Sequence, residues 1–226
     1  MTDKRCELKF TTSEANYHFI LNWILNNAYN FRKNYPKRFV NSIYFDTYSY
    51  DSFAENILGS SKKTKIRYRW YGNLTNEIKN GSLEIKKRDN IFNYKNIYEI
   101  RNLTINKDKK FKDIIDIIKL NLPIEASIEF ETRPFPTTVV RYIRDYFINF
   151  DNNIRITIDK NIKVYDQRLN NTINLNNKII LSDLMVIEFK FKDDLFENVN
   201  HILKDFPIKA SKNSKYINAI RSISGI

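Results

Sequence analysis

Apolar and polar residues alternate along much of this chain with the two-residue period of strands rather than the longer period of helices. In Lys65-Ile66-Arg67-Tyr68-Arg69-Trp70-Tyr71, one face carries Lys65, Arg67, Arg69 and Tyr71, and the other Ile66, Tyr68 and Trp70. The same alternation returns in Leu83–Lys86, Ile154–Asp159 and Ile187–Lys192. Strands are predicted over Arg5–Thr11, Val40–Asp46, Lys65–Tyr71, Ser82–Arg88, Asn93–Leu103, Ala126–Thr132, Thr138–Phe147, Asn153–Asp159 and Met185–Lys192. A turn containing Asn80-Gly81 separates two of them. Helical spacing of Tyr17, Ile20, Leu21, Ile24 and Leu25, after Thr/Ser capping candidates, predicts a helix over Ser13–Asn26. Further helices are expected over Thr47–Leu58, Phe111–Leu120, Leu195–Lys204 and Ser214–Ile223. Many sequential strands with local turns predict an α+β fold, with an antiparallel sheet closed or strongly curved and flanked by helices. No linker or repeat interrupts the chain, so residues 1–226 read as one domain.

The polar faces repeat cations, often with a carboxylate two residues away, as in Glu84/Lys86 and Glu188/Lys190. Two explanations stand. Such a face can simply meet solvent while its back packs on the core. Alternatively the sheet closes with its apolar side outward under helices, and the charged faces line a lumen. Arginine sits at these positions, and its fork of donors matches phosphate oxygens. Two cations about 4 Å apart repel by roughly 1 kcal/mol in water and about 4 at an effective dielectric near 20. A lumen of cations is therefore relieved by a polyanion. Glu84 and Glu188 could offset the repulsion as ion pairs or hold a hard metal ion; spacing leaves both open.

Composition narrows the partner. The formal charge is +12, from 38 Lys and Arg against 26 Asp and Glu, which favours anionic partners. Part of that excess can reflect an Asn-, Lys- and Ile-rich composition, so its placement says more than its size. Only 4 glycines argue against Gly-rich phosphate loops, leaving side chains to bind phosphate. The single Cys6 forms no intrachain disulfide. Without an apolar leader or a run of about 20 apolar residues, the chain is expected to be soluble and cytoplasmic, a membrane-protein partner being compatible with this.

The quoted runs, with Ser42-Ile43-Tyr44-Phe45-Asp46, Tyr142-Ile143-Arg144, Arg155–Asp159 and Lys212-Asn213-Ser214-Lys215-Tyr216, occur in the order found in one known family. From Arg5 to about Ile220 the chain resembles the polyphosphate-polymerase (VTC) domain of the triphosphate tunnel metalloenzyme superfamily. The resemblance implies a closed antiparallel β-barrel tunnel with a basic lining. It implies ATP as phosphoryl donor, inorganic polyphosphate or triphosphate as ligand, and Mg2+ or Mn2+ as cofactor. It assigns catalysis to Arg67, Arg69, Lys86, Arg144 and Arg155, substrate binding to Lys9, Lys95, Tyr142, Lys190, Lys212, Ser214 and Lys215, and metal binding to Glu188. The last three substrate residues would form a helix-borne group at the tunnel end. In one departure, Asn56 stands about where the eukaryotic enzymes carry an arginine.

Phosphoryl transfer needs positioning and charge stabilisation more than covalent help. An ionised phosphate acceptor needs no general base, which agrees with reading His18 and His201 as structural or solvated. The resemblance leaves an inorganic triphosphatase and a non-catalytic polyphosphate binder beside the polymerase. Nucleic acid is disfavoured, because interleaved carboxylates repel a phosphate backbone. Trp70, Glu129, Glu131, Asp46 and Asp159 read as structural.

Overall fold

The computed structural model describes residues 5–78, 81–90, 92–106, 108–181 and 183–225. The strands are β1 (Arg5–Thr12), β2 (Arg32–Asp46), β3 (Lys62–Tyr71), β4 (Asn76–Ile78), β5 (Gly81–Asp89), β6 (Phe92–Ile100), β7 (Leu103–Ile105), β8 (Phe135–Ile148), β9 (Arg155–Asp166), β10 (Lys178–Ile180) and β11 (Met185–Lys192). The helices are α1 (Tyr17–Leu25), α2 (Asp51–Ile57), α3 (Phe111–Leu120), α4 (Ile124–Glu131), α5 (Phe196–Leu203) and α6 (Lys215–Ser224). Two compact units form, each from three separated stretches. The first contains the chain up to Arg38, Tyr142–Ile162 and Leu181–Ser214; the second contains Phe39–Arg141, Lys163–Ile180 and the chain from Lys215 on. Strands β2, β8 and β9 contribute residues to both.

In the first unit β1 pairs with β11 and β11 with β9, both antiparallel, followed by β8 and β2. Its core joins Ile20 and Ile24 of α1, Val199 and Ile202 of α5, and the inward residues Ile156, Ile158, Ile187 and Phe189 of the strands. In the second unit β2, β3, β5 and β6 lie side by side, again antiparallel. Ile66, Tyr68 and Trp70, the apolar face expected of β3, are all buried in its core. Phe111, Ile114 and Ile118 of α3 join them at helical spacing. Gly81 is required where it stands, since a Cβ there would lie 1.8 Å from the Tyr68 hydroxyl oxygen.

The antiparallel sheet with flanking helices follows the expectation. Among the described residues the ladders end at β1 in the first unit and at β6 in the second, and closure of a barrel is not among them. The strand expected over Ala126–Thr132 is instead helix α4. Pro123 precedes that helix and Glu125 lies in its first turn, both favourable at a helix start. Ala126 and Phe130, four residues apart, are its buried face, whereas Ile128 is exposed. The expected Asn93–Leu103 strand breaks at Asn102, whose φ of 59° turns the chain into β7. Strand β2 begins at Arg32 rather than Val40, its first eight residues being mostly exposed and without an apolar alternation. Asparagine supplies the left-handed turn positions in this glycine-poor chain: Asn90 (φ 53°) joins β5 to β6, and Asn152 (φ 60°) joins β8 to β9. Asn80, in the expected turn, lies outside the described residues.

Candidate functional site

In the second unit the charged face of β3 meets those of its neighbours in register. Tyr44 on β2 is opposite Arg67 on β3, Arg67 opposite Glu84 on β5, and Glu84 opposite Ile97 on β6. Glu84 is 6% exposed and is the centre of this cluster. Its carboxylate accepts from Arg67 Nε at 2.9 Å, and lies 3.2 Å from Arg69 Nη1 and 3.0 Å from Lys95 Nζ. Burial alone would raise its pKa, but Arg67, Arg69 and Lys95 more than reverse that and hold it well below the usual carboxylate range. Glu84 is thus an ion-pair partner of all three cations. Burial works the other way on Lys95, lowering its pKa despite the attraction of Glu84.

An aromatic relay supports Arg67. Its Nη1 donates to the Tyr44 hydroxyl at 3.2 Å, and the Tyr44 ring stacks on Tyr216 of α6 with centroids 5.2 Å apart. The Tyr216 hydroxyl donates to Asp46, which is fully buried. Asp46 also accepts the backbone N–H groups of Thr47 and Ser52 at 2.8 Å and of Phe53 at 3.2 Å, capping the turn into α2. Burial and Asp46 together push the Tyr216 hydroxyl well above its ordinary pKa, so it remains a donor.

The first unit holds a second cluster. Lys9 on β1 is opposite Glu188 on β11, which is opposite Thr157 on β9; Glu7, Lys190 and Arg155 form the neighbouring row. Glu188, 7% exposed, lies 3.2 Å from Lys190 Nζ, 3.7 Å from Arg144 Nη2 and 4.0 Å from Lys9 Nζ. Lys9 also reaches Glu7 at 2.8 Å and donates to the Asn213 carbonyl at 3.3 Å. Arg144 on β8 grips the fully buried Asp159 through Nε and Nη2, the second contact being 2.6 Å. Its guanidinium also sits 5.3 Å from the centre of the Tyr142 ring. Burial opposes the Arg144 charge, yet Asp159, Tyr142 and Glu188 raise its pKa well above the ordinary arginine value. For Glu7, burial and Glu188 push upward, but Lys9 and Lys190 outweigh them and its pKa is lowered.

The expected residues thus separate into groups. Arg67, Arg69 and Lys95 converge on Glu84, while Lys9, Lys190, Arg144 and Tyr142 gather near Glu188. Lys86 is exposed and stands opposite Lys65 and Lys95, one row beyond Glu84. Arg155 is exposed at the edge of its cluster, opposite Lys190. The expected helix-borne group needs correction. Lys212 and Ser214 lie in the non-helical segment before α6, and only Lys215, 8% exposed, is on the helix. The chain around Lys209–Ser214 runs beside β1 instead, with Ser211 N donating to the Lys9 carbonyl at 2.8 Å.

Several side chains expected to be structural are so. Glu129 pairs with Lys87 at 2.6 Å, and Glu131 pairs with Lys119, though from a helix rather than a strand. Asn56 lies on α2, where its amide donates to the Ser52 carbonyl at 2.9 Å. The Cys6 thiol donates to Asp193, and burial with that carboxylate raises its pKa, the opposite of an activated nucleophile. Sequence reasoning missed Tyr44 and Glu7 as members of the clusters. Both were detectable, since Tyr44 shares a strand face with Ser42 and Asp46, and Glu7 shares one with Lys9.

No group of three His, Cys, Asp or Glu side chains suited to a metal occurs among the described residues. Glu188 with Glu7 nearby still offers hard oxygen donors of the kind Mg2+ takes when substrate phosphates complete its shell. No helix among the described residues is long and apolar enough to cross a membrane.

The family model described as the VTC domain matches residues 4–224 of the chain. None of the curated proteins compared with the chain matches it. Among solved structures, a "putative adenylate cyclase" from Vibrio parahaemolyticus is similar at a TM-score of 0.53 and 11% identity. The alignment covers 96% of this chain and 99% of that one, and at this identity the likeness is one of fold.

Proposed function

The chain belongs to the VTC domain family, and from that premise we propose that it is an ATP-dependent polyphosphate polymerase. The observation that carries the reading is the convergence of Arg67, Arg69 and Lys95 on the single buried carboxylate of Glu84. Three cations on one acid leave excess positive charge on donors already fixed in direction, which suits a linear phosphoanhydride. In this reading the antiparallel sheet encloses the phosphate chain as a tunnel.

Each group then has a task. Arg67 and Arg69 bind the triphosphate of ATP, with Arg67 held in direction by Tyr44. Lys95 and Lys86 meet the phosphates beyond them. Arg144, fixed by Asp159, stabilises charge developing on the transferred phosphoryl oxygens. Arg155, Lys190, Lys9 and Tyr142 bind the remainder of the chain, as do Lys212, Ser214 and Lys215. Glu188 would hold Mg2+ or Mn2+, which when bound supplies neutralisation of phosphate charge. The acceptor phosphate is ionised at neutral pH, so its oxygen bonds to the γ-phosphorus of ATP as the β–γ anhydride bond breaks and ADP leaves, and no side chain has to remove a proton. Exposed His18 and His201 fit that expectation.

The test is incubation with ATP and Mn2+ or Mg2+, followed by staining a gel for polyphosphate. Chains are expected, and their absence with either metal would sink the polymerase. Phosphate release from triphosphate without chain growth would make the protein a triphosphatase. One observation favours a third reading, a polyphosphate binder without catalysis: Asn56 stands where the resemblance leads to an arginine, and its amide is turned back onto the helix. Binding of triphosphate with neither growth nor release is the outcome that reading requires.

A further inference from the structure

A cleft of about 690 Å3 opens in the second unit where the turn after β2, the start of α3, the start of β8 and the turn after β9 meet. That volume is in the range of small-molecule sites. None of the side chains gathered on Glu84 or Glu188 lines it. Its walls are fixed from within the unit. Phe111 N donates to the Asn171 carbonyl at 2.9 Å and Ile173 N to the Lys109 carbonyl at 3.3 Å, pinning the start of α3 to the turn after β9. Across the cleft, Asp46 holds the turn after β2 by accepting the N–H groups of Thr47 and Ser52. Tyr50 in that turn lines the cleft with a φ of 61°. This left-handed conformation is strained for a bulky residue, and such strain clusters at ligand sites.

The walls carry two kinds of chemistry. Tyr48 is 83% exposed and Phe135 50%, with ring centroids 6.0 Å apart in an edge-to-face pair, so both rings offer open surface. Pro134 and Pro136 flank Phe135 and restrict its backbone. Lys110 and Lys112 supply charge. Neither is in an ion pair among the described residues, and no acid lines the cleft. Arg168 is a wall rather than a ligand, because its donors are engaged. Asp166 takes Nε at 2.9 Å and Nη2 at 2.8 Å, and the Ser224 hydroxyl and Ile223 carbonyl take further bonds. Two free ammonium groups match the charge of about −1.5 to −2 that a phosphate monoester carries at neutral pH, whereas a carboxylate carries one. We propose that this cleft binds a phosphate monoester of a flat ring, a nucleoside monophosphate. The ring lies against Tyr48 and Phe135, and the phosphate meets Lys110 and Lys112. Stacking of this kind accepts any base. The site is separate from the one proposed for the triphosphate and does not depend on that reading.

The test is titration calorimetry with AMP, using adenosine and inorganic phosphate as the two halves of the probe. AMP is expected to bind about tenfold more tightly than either half. Tyr48→Ala should weaken AMP about tenfold, and Tyr48→Phe, which keeps the ring, should bind it as before. A Lys110→Ala, Lys112→Ala double variant should also lose about tenfold at low salt and leave adenosine unaffected. All three side chains are exposed, so these variants are expected to melt within a few degrees of the unaltered protein. AMP should bind equally well with tripolyphosphate in excess, and Tyr48→Ala should change tripolyphosphate affinity less than about twofold. Absence of AMP binding to the unaltered protein would overturn the inference. So would AMP binding that survives both sets of substitutions, or that excess tripolyphosphate abolishes, since the nucleotide would then occupy the site beside Glu84. Each of these outcomes reads the same whether or not the protein makes polyphosphate.

Discussion

Around Glu84 one carboxylate faces three cations, whereas around Glu188 the acids Glu7, Asp159 and Glu188 meet Lys9, Arg144 and Lys190 one for one. Both clusters lie on antiparallel strand faces and both bury an acid, so the difference is one of charge balance. The first cluster has positive charge to spare and suits an anion arriving without its counterions. The second is nearly neutral in itself, and its carboxylates suit a cation arriving with the anion.

The largest effect expected on this contrast is in the balanced cluster. Arg144→Ala strands the carboxylate of Asp159, which is fully buried. Breaking a buried pair on one side costs about 3–5 kcal/mol, readable in urea unfolding. Replacing both partners, Arg144→Met with Asp159→Leu, should recover most of that loss. A single-variant loss under about 1 kcal/mol would show that the pair is not stabilising and would remove half of the comparison.

Glu84→Gln comes next, with an expected loss of about 2 kcal/mol, less because Arg67 and Lys95 are partly exposed. The informative readout is the response to triphosphate. Ligand should raise the melting temperature more in the variant than in the unaltered protein, since it replaces the missing negative charge. Loss of that response would mean that Glu84 orients Arg67 for binding rather than merely offsetting it.

Acid sharpens the same point at smaller scale. The folded protein holds the Glu84 carboxyl below its ordinary range. Its stabilisation is therefore complete above the unfolded value of about 4.3 and is lost as pH falls below it. The melting temperature of the unaltered protein should drop across that window more steeply than that of Glu84→Gln. Parallel curves would assign the acid sensitivity to other carboxylates.

Glu188→Gln should cost least, about 1 kcal/mol or less, because Lys9 and Lys190 keep Glu7 and Arg144 keeps Asp159. Its signature is weaker Mn2+ binding in the presence of triphosphate, measured by titration calorimetry. Undiminished metal binding would transfer the metal role away from Glu188.

The alternation in β3, β5, β9 and β11 made their faces legible, because a two-residue period with one face buried leaves little freedom of register. Arg67, Arg69 and Glu188 could be placed on their charged faces for that reason, while their roles come from the family resemblance. What was hidden depends on neighbours distant in the chain. That three cations share Glu84 is a property of cross-strand register, which no single strand records. Ala126–Thr132 was misassigned because Ala126, Ile128 and Phe130 fit a strand period, while only Ala126 and Phe130 turned out to be buried. The resemblance puts Lys212 and Ser214 in a helix-borne group, and the structure starts that helix at Lys215.

The relay from Tyr216 through Tyr44 to Arg67 bears on when the site can form. Tyr216 reaches Asp46 across 170 residues of sequence, and Lys9 reaches the Asn213 carbonyl across 204. Closing such distances early is entropically unfavourable, so contacts of this separation belong to the slow end of folding. On a ribosome the β3 arginines emerge long before the aromatic ring that completes their support. Until then their charge is present without the geometry that the Tyr44–Tyr216 stack supplies.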